Sequence, residues 1–360
     1  MFKNKLIALS LVTITAIIAA TIFVKMNAPQ TEKDKIPFFP GLAEQIESVN
    51  HISIKGYVDS INLTRVNDIW LIDEFDGYPA LPEKVKRAVL GAADLKINAP
   101  KTSLPRLYHR LGVEGPEIEE STSLLLTLGD LEENKIIEVI VGKPRRSSAS
   151  QSSPGLYVRR LDDEQSYLVD GVLDITAIKT AWIERSLFDI PAEAIKSVRI
   201  DHGDGDTFTL FKSEKGQDQF ELENLPFGKK LASELIINRF GSILQDMQIS
   251  GARSKENIKA QGDSIHTRIT TFEGIIADIT AIEYDDIPYA SFEFSYDESL
   301  LLEDEENEKI DNVKTFIGNL NAHTLDWWFE IPGFKFDVLK KRSNVVMRDD
   351  DQVFLEKETE

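Results

Sequence analysis

The chain carries one pattern twice. GLAEQIESVNHISI, starting at Gly41, and IPAEAIKSVRIDH, starting at Ile190, place Ile46-x-Ser48-Val49 and Ile195-x-Ser197-Val198 at a separation of 149 residues. Behind each comes a turn and an alternating segment, INLTRV from Ile61 and TFTLFK from Thr207. Next comes a strand with an aromatic and an aliphatic two apart, Trp70 with Ile72 and Phe220 with Leu222. Alternation with period two sends one row of side chains to a core and the other to water, so both stretches predict a half-buried antiparallel meander. A helical stripe follows in each: Val85, Ala88, Val89 and Ala92 after Pro82, then Ile236, Phe240, Ile243, Leu244 and Met247.

More strands complete each copy, SLLLTL, KIIEVIV and GLYVRR in the first and TRITTF, IADITAIEY and ASFEFSY in the second. Each copy closes on an aromatic segment ending in Ile-Pro: Trp182 before Ile190-Pro191, and Trp327-Trp328 before Ile331-Pro332. The expected fold class is therefore α+β, two tandem, repeated modules of mainly antiparallel sheet with packed helices. The modules span 38–187 and 188–340, with a polar tail over 341–360. Two domains also suit a chain of 360 residues, which exceeds what one core usually holds.

Ahead of the modules, Leu6 to Val24 form an uninterrupted uncharged run flanked by Lys3, Lys5 and Lys25. Nineteen such residues make a helix of about 28 Å, close to the hydrocarbon thickness of a bilayer. A secretory signal shares this layout, but the run is long for one, and Met26-Asn27-Ala28-Pro29-Gln30 offers no good small-x-small cleavage site. The expectation is an uncleaved N-terminal transmembrane helix with ends at Leu6 and Val24, preceded by a short tail over 1–5 and followed by a linker over 25–37. A short leader ahead of a large body suggests a cytoplasmic N-terminus, which makes the chain a single-pass protein of the inner membrane with its bulk periplasmic.

PGLAEQIESV, GYPALPEKV, Leu107-Tyr108 to Leu111-Gly112-Val113, Val141-Gly142-Lys143, Gly155 to Arg159 and Trp182 to Pro191 together resemble the bacterial domain-of-unknown-function family DUF4340. The resemblance covers about residues 38–225. It implies a membrane-anchored envelope protein of a kind often found beside components of gliding-type ABC transport systems, and it brings no catalytic residues with it.

Charge narrows the partners. Sixty-one acidic against forty-one basic side chains give a net charge of -20, with no basic segment long enough to neutralise a phosphate backbone, so no nucleic-acid partner is expected. The absence of Cys removes disulfides, zinc thiolates and thiol nucleophiles. The five His lack zinc spacing, and no Gly-x-Ser-x-Gly elbow or phosphate-binding Gly-rich loop is present. No catalytic residue and no cofactor is expected.

Asp201-His202-Gly203-Asp204-Gly205-Asp206 is the one metal candidate, since Asp201, Asp204 and Asp206 could surround a hard cation. Its spacing departs from an EF-hand, with Lys212 where a bidentate Glu is needed, and a hairpin turn explains the composition equally. Arg145 and Arg146, ahead of SSASQSSPG, could meet anionic headgroups or an acidic partner. Trp182, Trp327 and Trp328 could line a cleft between modules or anchor their junction. These residues suggest an envelope accessory or scaffold protein whose partners are the bilayer and other membrane or envelope proteins. The alternative is a module binding envelope glycan, lipid or peptide, and an unrecognised hydrolase centred on the Asp201–Asp206 loop is the third reading.

Overall fold

Ile52 and Ile54 stand two apart and are both buried, as are Ile61 and Leu63 of the next strand. That alternation pins the register of the first hairpin: Ile52 faces Leu63 and Ile54 faces Ile61. The computed structural model describes residues 35–145, 154–259, 264–297 and 307–350. Around this hairpin lies a nine-stranded sheet built from β1 (His51–Lys55), β2 (Ser60–Val66), β3 (Ile69–Ile72), β4 (Tyr78–Pro79), β5 (Lys96–Pro100), β6 (Leu124–Gly129), β7 (Lys135–Pro144), β8 (Gly155–Arg160) and β9 (Ser166–Asp170). Its order is β4-β3-β2-β1-β6-β7-β8-β9-β5, with every pairing antiparallel.

After β10 (Ser186–Phe188), the second half forms β11 (Ile195–Asp201), β12 (Thr207–Phe211), β13 (Glu221–Leu222), β14 (Lys229–Leu231), β15 (Met247–Gln248), β16 (Gly251–Ser254), β17 (Ile265–Thr271), β18 (Ile275–Tyr284), β19 (Ile287–Tyr296), β20 (Trp327–Glu330) and β21 (Met347–Asp349). Eight of these make a sheet in the order β13-β12-β11-β17-β18-β19-β20-β16, while β10 pairs with β15 and β14 with β21. Apart from the extra edge strand β4, the two large sheets have the same connectivity strand for strand.

The register of the repeat differs from the motif match. Val49, Ile52 and Ile54 are buried in the first copy, and Ile195, Val198 and Ile200 in the second. Leu63 faces Ile52 where Leu210 faces Val198, so equivalent core positions of β1 and β11 lie 146 residues apart. The shared Ile-x-Ser-Val letters are three residues out of step with the pleat, because β1 begins only at His51, after the 3-10 turn Ala43–Ser48, whereas β11 begins at Ile195 itself.

Helix α1 (Pro82–Ala93) opens on Pro and buries Val85, Ala88, Val89 and Ala92, the stripe its spacing predicts. α2 (Tyr108–Leu111) is a single turn ended by Gly112 in the left-handed region. α3 (Glu234–Gly241) buries Ile237, Phe240 and Gly241 and stops at Ser242. It is therefore shorter than the stripe suggests: Ile243 and Leu244 are buried beyond its end, and Met247 belongs to β15. Asp246, at φ 44, turns the chain there, and its N–H donates to Asp189 Oδ1 at 2.8 Å. α4 (Asn307–Thr324), α5 (Gly333–Leu339) and α6 (Ser343–Val346) complete the second half.

The expected fold class needs correction. Strand outweighs helix, 38% to 23%, and the chain is mostly antiparallel sheet in several sheets rather than α+β modules behind a spanning helix. Among the described residues no helix is long and apolar enough to cross a membrane. The longest, α4, has 18 residues and carries Glu308, Lys309, Asp311 and Lys314. The span read over Leu6–Val24 lies outside the described residues.

The two sheets share one continuous core, in which Ile54, Val89 and Trp182 join Val198, Phe240 and Phe329. At the joint, Tyr78 meets Trp327 and Phe329 edge-on, with ring centroids 5.0 and 5.9 Å apart. Beside them Asp76, at φ 54 on the end of a 3-10 turn, accepts from Arg253 Nη1 at 2.9 Å and from the Ser254 N–H at 3.1 Å. Burial alone would lower the pKa of Arg253, but the bond to Asp76 and a further one to Tyr289 raise it.

Candidate functional site

The sequence-predicted residues occupy positions of several kinds. Trp182 is fully buried, its indole N–H donating to the Thr176 carbonyl at 3.0 Å. Trp328 is buried in a small cluster with Ile258, Ile282 and Tyr289, and its N–H donates to the Ile258 carbonyl at 3.1 Å. Trp327 lies at the joint against Tyr78. All three are packed side chains, which suits an anchoring role better than a cleft lining.

Arg145 approaches Asp170 at 3.2 Å, and that carboxylate also takes Lys35 at 2.6 Å and the Asn98 amide at 2.9 Å. Burial pushes the Asp170 pKa up, but the hydrogen bonds from Lys35 and Asn98 and the charges of Lys35 and Arg145 outweigh it and hold it below the ordinary value. Arg146, Leu6 and Val24 lie outside the described residues.

The Asp201–Asp206 segment is the hairpin turn between β11 and β12. Asp201 Oδ1 accepts from the Gly203 N–H at 2.8 Å, and Asp204 Oδ1 accepts from the Asp206 N–H at 3.1 Å. Arg342 bonds Asp204 at 2.6 Å and lies 3.6 Å from Asp206. The Asp206 N–H and Arg342 lower the Asp204 pKa. The turn thus ties the second sheet to the start of α6, and among the described residues no group of His, Cys, Asp or Glu has the arrangement to hold a metal ion.

A different constellation emerges from strand pairing, on the water-facing side of the second sheet. Arg199 lies opposite Arg268, Arg268 opposite Asp278, and Asp278 opposite Glu293, so four adjacent strands contribute one charged row. The neighbouring row is Asp201, His266, Thr280 and Ser291. Arg268 grips Asp278 with two bonds, 2.7 and 2.9 Å, which further raises the guanidinium pKa. His266 bonds Ser264 at 3.1 Å and Thr280 at 3.3 Å. Both members of the Arg268–Asp278 pair are more than a third exposed, so it contributes at most about 1 kcal/mol to stability. A shallow hollow of about 390 Å³ opens over this row.

The corresponding positions of the first sheet are Ser53, Thr127 and Glu138. Neutral groups stand there in place of the two arginines, so the shared connectivity presents two chemically distinct faces. Alternation announces that such rows face water, but the alignment of four strands in one row requires the register, which no local signal supplies.

Residues 70–264 match the model of a family described as a domain of unknown function, DUF4340. The chain belongs to the DUF4340 family. In this DUF4340 protein the matched stretch runs from Trp70 in β3 to Ser264, just before β17, and so includes both Asp76 and Arg253 of the joint. No curated protein and no solved structure matches the chain.

Proposed function

We propose that this DUF4340 protein is a non-enzymatic accessory or scaffold protein of the bacterial cell envelope, acting beside the inner membrane on its extracytoplasmic side. Its partners are other envelope proteins, an ABC-type transport complex foremost. The charged row Arg199–Arg268–Asp278–Glu293 carries this reading: it lies on a rigid sheet backed by a core shared with the first sheet, and the equivalent row of that first sheet lacks the arginines. Fixed charges on a stiff face select a partner by complementary sign and speed its capture more than they add raw affinity. The implied partner surface places acidic groups over Arg199 and basic groups over Glu293.

The test is affinity capture of the tagged full-length protein from detergent-solubilised envelopes. Stoichiometric recovery of an envelope protein is expected, and the double variant R199E/R268E should weaken it at least about tenfold, equivalent to about 1.4 kcal/mol. Repeated recovery of the protein alone, or recovery unaffected by the double variant, would overturn the proposal.

A further inference from the structure

Arg65 and Lys212 occupy equivalent places in the two copies. The N–H of Arg65 donates to the Asn50 carbonyl and that of Lys212 to the Lys196 carbonyl, each at 2.8 Å. Each also neighbours an aromatic residue: Trp70 of β3 opposite Arg65, and Phe220, just before β13, with its ring centre 4.7 Å from the Lys212 ammonium. Their surroundings differ. In the first copy a tight turn through Asn67 and Asp68, both at positive φ, returns an acid to the arginine, and Arg65 bonds Asp68 at 2.5 Å and the Glu47 carbonyl at 3.2 Å.

In the second copy the turn is replaced by a longer loop from Ser213 to Gln219. The Gln217 amide spans it, accepting from the Ser213 N–H at 2.8 Å and donating to the Gln219 carbonyl at 2.7 Å. The loop brings no acid back. Lys212 is only 7% exposed, yet among the described residues no carboxylate lies within ion-pair distance of its ammonium. Its stem is buried along the Phe220 ring, while its ammonium is not among the buried nitrogens left without a partner and so reaches solvent at the end of that stem. Lys335, the other buried lysine, is held differently: its ammonium donates to the carbonyls of Ser242, Ile243 and Gln245.

Lys212 lines a cavity of about 220 Å³. Its buried lining includes Lys212, Phe220 and Gly241, and its exposed lining includes Glu193, Asp218 and Asn238. Gly241 is required for this packing, since a Cβ there would come within 2.9 Å of the Phe220 ring. One positive charge beside an aromatic ring, with two negative charges on the opposite lining, is the complement of a molecule bearing a carboxylate at one end and an ammonium at the other. We propose that this cavity binds a small zwitterion of amino-acid type, its carboxylate on Lys212 Nζ and its ammonium toward Glu193 and Asp218. The site uses no residue of the charged row on the second sheet, so it stands or falls separately from the docking reading.

The full-length protein is melted with glycine, γ-aminobutyrate, acetate or ethylammonium at constant ionic strength. A ligand that binds only the folded state raises Tm, and about 2 °C or more is expected at saturation with at least one of the two zwitterions, with a smaller rise for acetate and for ethylammonium. K212M removes a charge that has no carboxylate partner among the described residues and keeps an apolar stem against Phe220, so it should melt no lower than wild type while losing the response, a weakening of tenfold or more. E193Q/D218N should reduce the zwitterion response to that of acetate. Silence toward both zwitterions overturns the site, as does K212M melting lower than wild type or keeping its response. A rise with acetate equal to that with the zwitterions overturns the amino-acid assignment.

Discussion

Asp170 shows how one residue can close a sheet. It ends β9, faces Lys96 of the edge strand β5, and gathers Lys35, Asn98 and Arg145 around its carboxylate. Removing the charge by Asp170→Asn leaves two cations facing a neutral amide and should cost about 2 kcal/mol in denaturant unfolding at neutral pH. The folded pKa of Asp170 is depressed, so its contribution is fully present above the unfolded value of about 3.9 and is lost as pH falls through the folded pKa. Wild type and variant should therefore differ by a constant amount from about pH 7 to pH 5 and converge below about pH 4. A gap that stayed constant at pH 3 would show that Asp170 acts by shape alone.

Among the elements, α1 is the clearest case of packing overriding propensity. Gly91 sits near its end, where Ala would ordinarily gain about 1 kcal/mol of helix propensity. A Cβ there would stand 2.6 Å from the Val172 carbonyl oxygen, a backbone atom that cannot swing aside. The clash should win, and Gly91→Ala should lower stability by about 1 to 3 kcal/mol, measured by chemical denaturation. Most elements were legible for simple reasons. The stripe Val85, Ala88, Val89 and Ala92 has helical spacing, INLTRV and IADITAIEY alternate, and KIIEVIV is an apolar run of strand length. What stayed hidden depends on distance in sequence. β5 and β16 close their sheets against β9 and β20, pairings that no local pattern encodes. The early end of α3, with the chain turning at Asp246 in the left-handed region, is something an apolar stripe cannot report. At the joint, Trp327 was legible as a junction aromatic, but Asp76 and Arg253 were not, because their pairing spans 177 residues and neither carries a motif. The row through Arg199 and Glu293 was hidden for the same reason, since its four members come from four separately read strands.

At the scale of the whole molecule, one core runs through both sheets, and the Asp76–Arg253 bond with the Tyr78, Trp327 and Phe329 contacts fastens them together. Two halves sharing that much buried surface should unfold together. Tryptophan fluorescence, which reports Trp70 and Trp182 in one half and Trp327 and Trp328 in the other, should trace the same denaturant midpoint as far-UV circular dichroism. Two resolved midpoints would show halves that fold independently.

The large sheets share another property at their rims. The first ends in β4, two residues of which one is Pro79, and the second ends in β13, also two residues. A rim that short exposes few free amides, and a proline there has none to offer a neighbouring molecule. At the far rim of the second sheet, β16 packs against β4 and the turn beside it, and a Cβ on Gly251 would come within 3.2 Å of the Phe75 ring. A molecule with so much open pleated surface would otherwise tend to zip onto copies of itself. Blunted borders leave the flat faces available for recognition while discouraging growth into fibres.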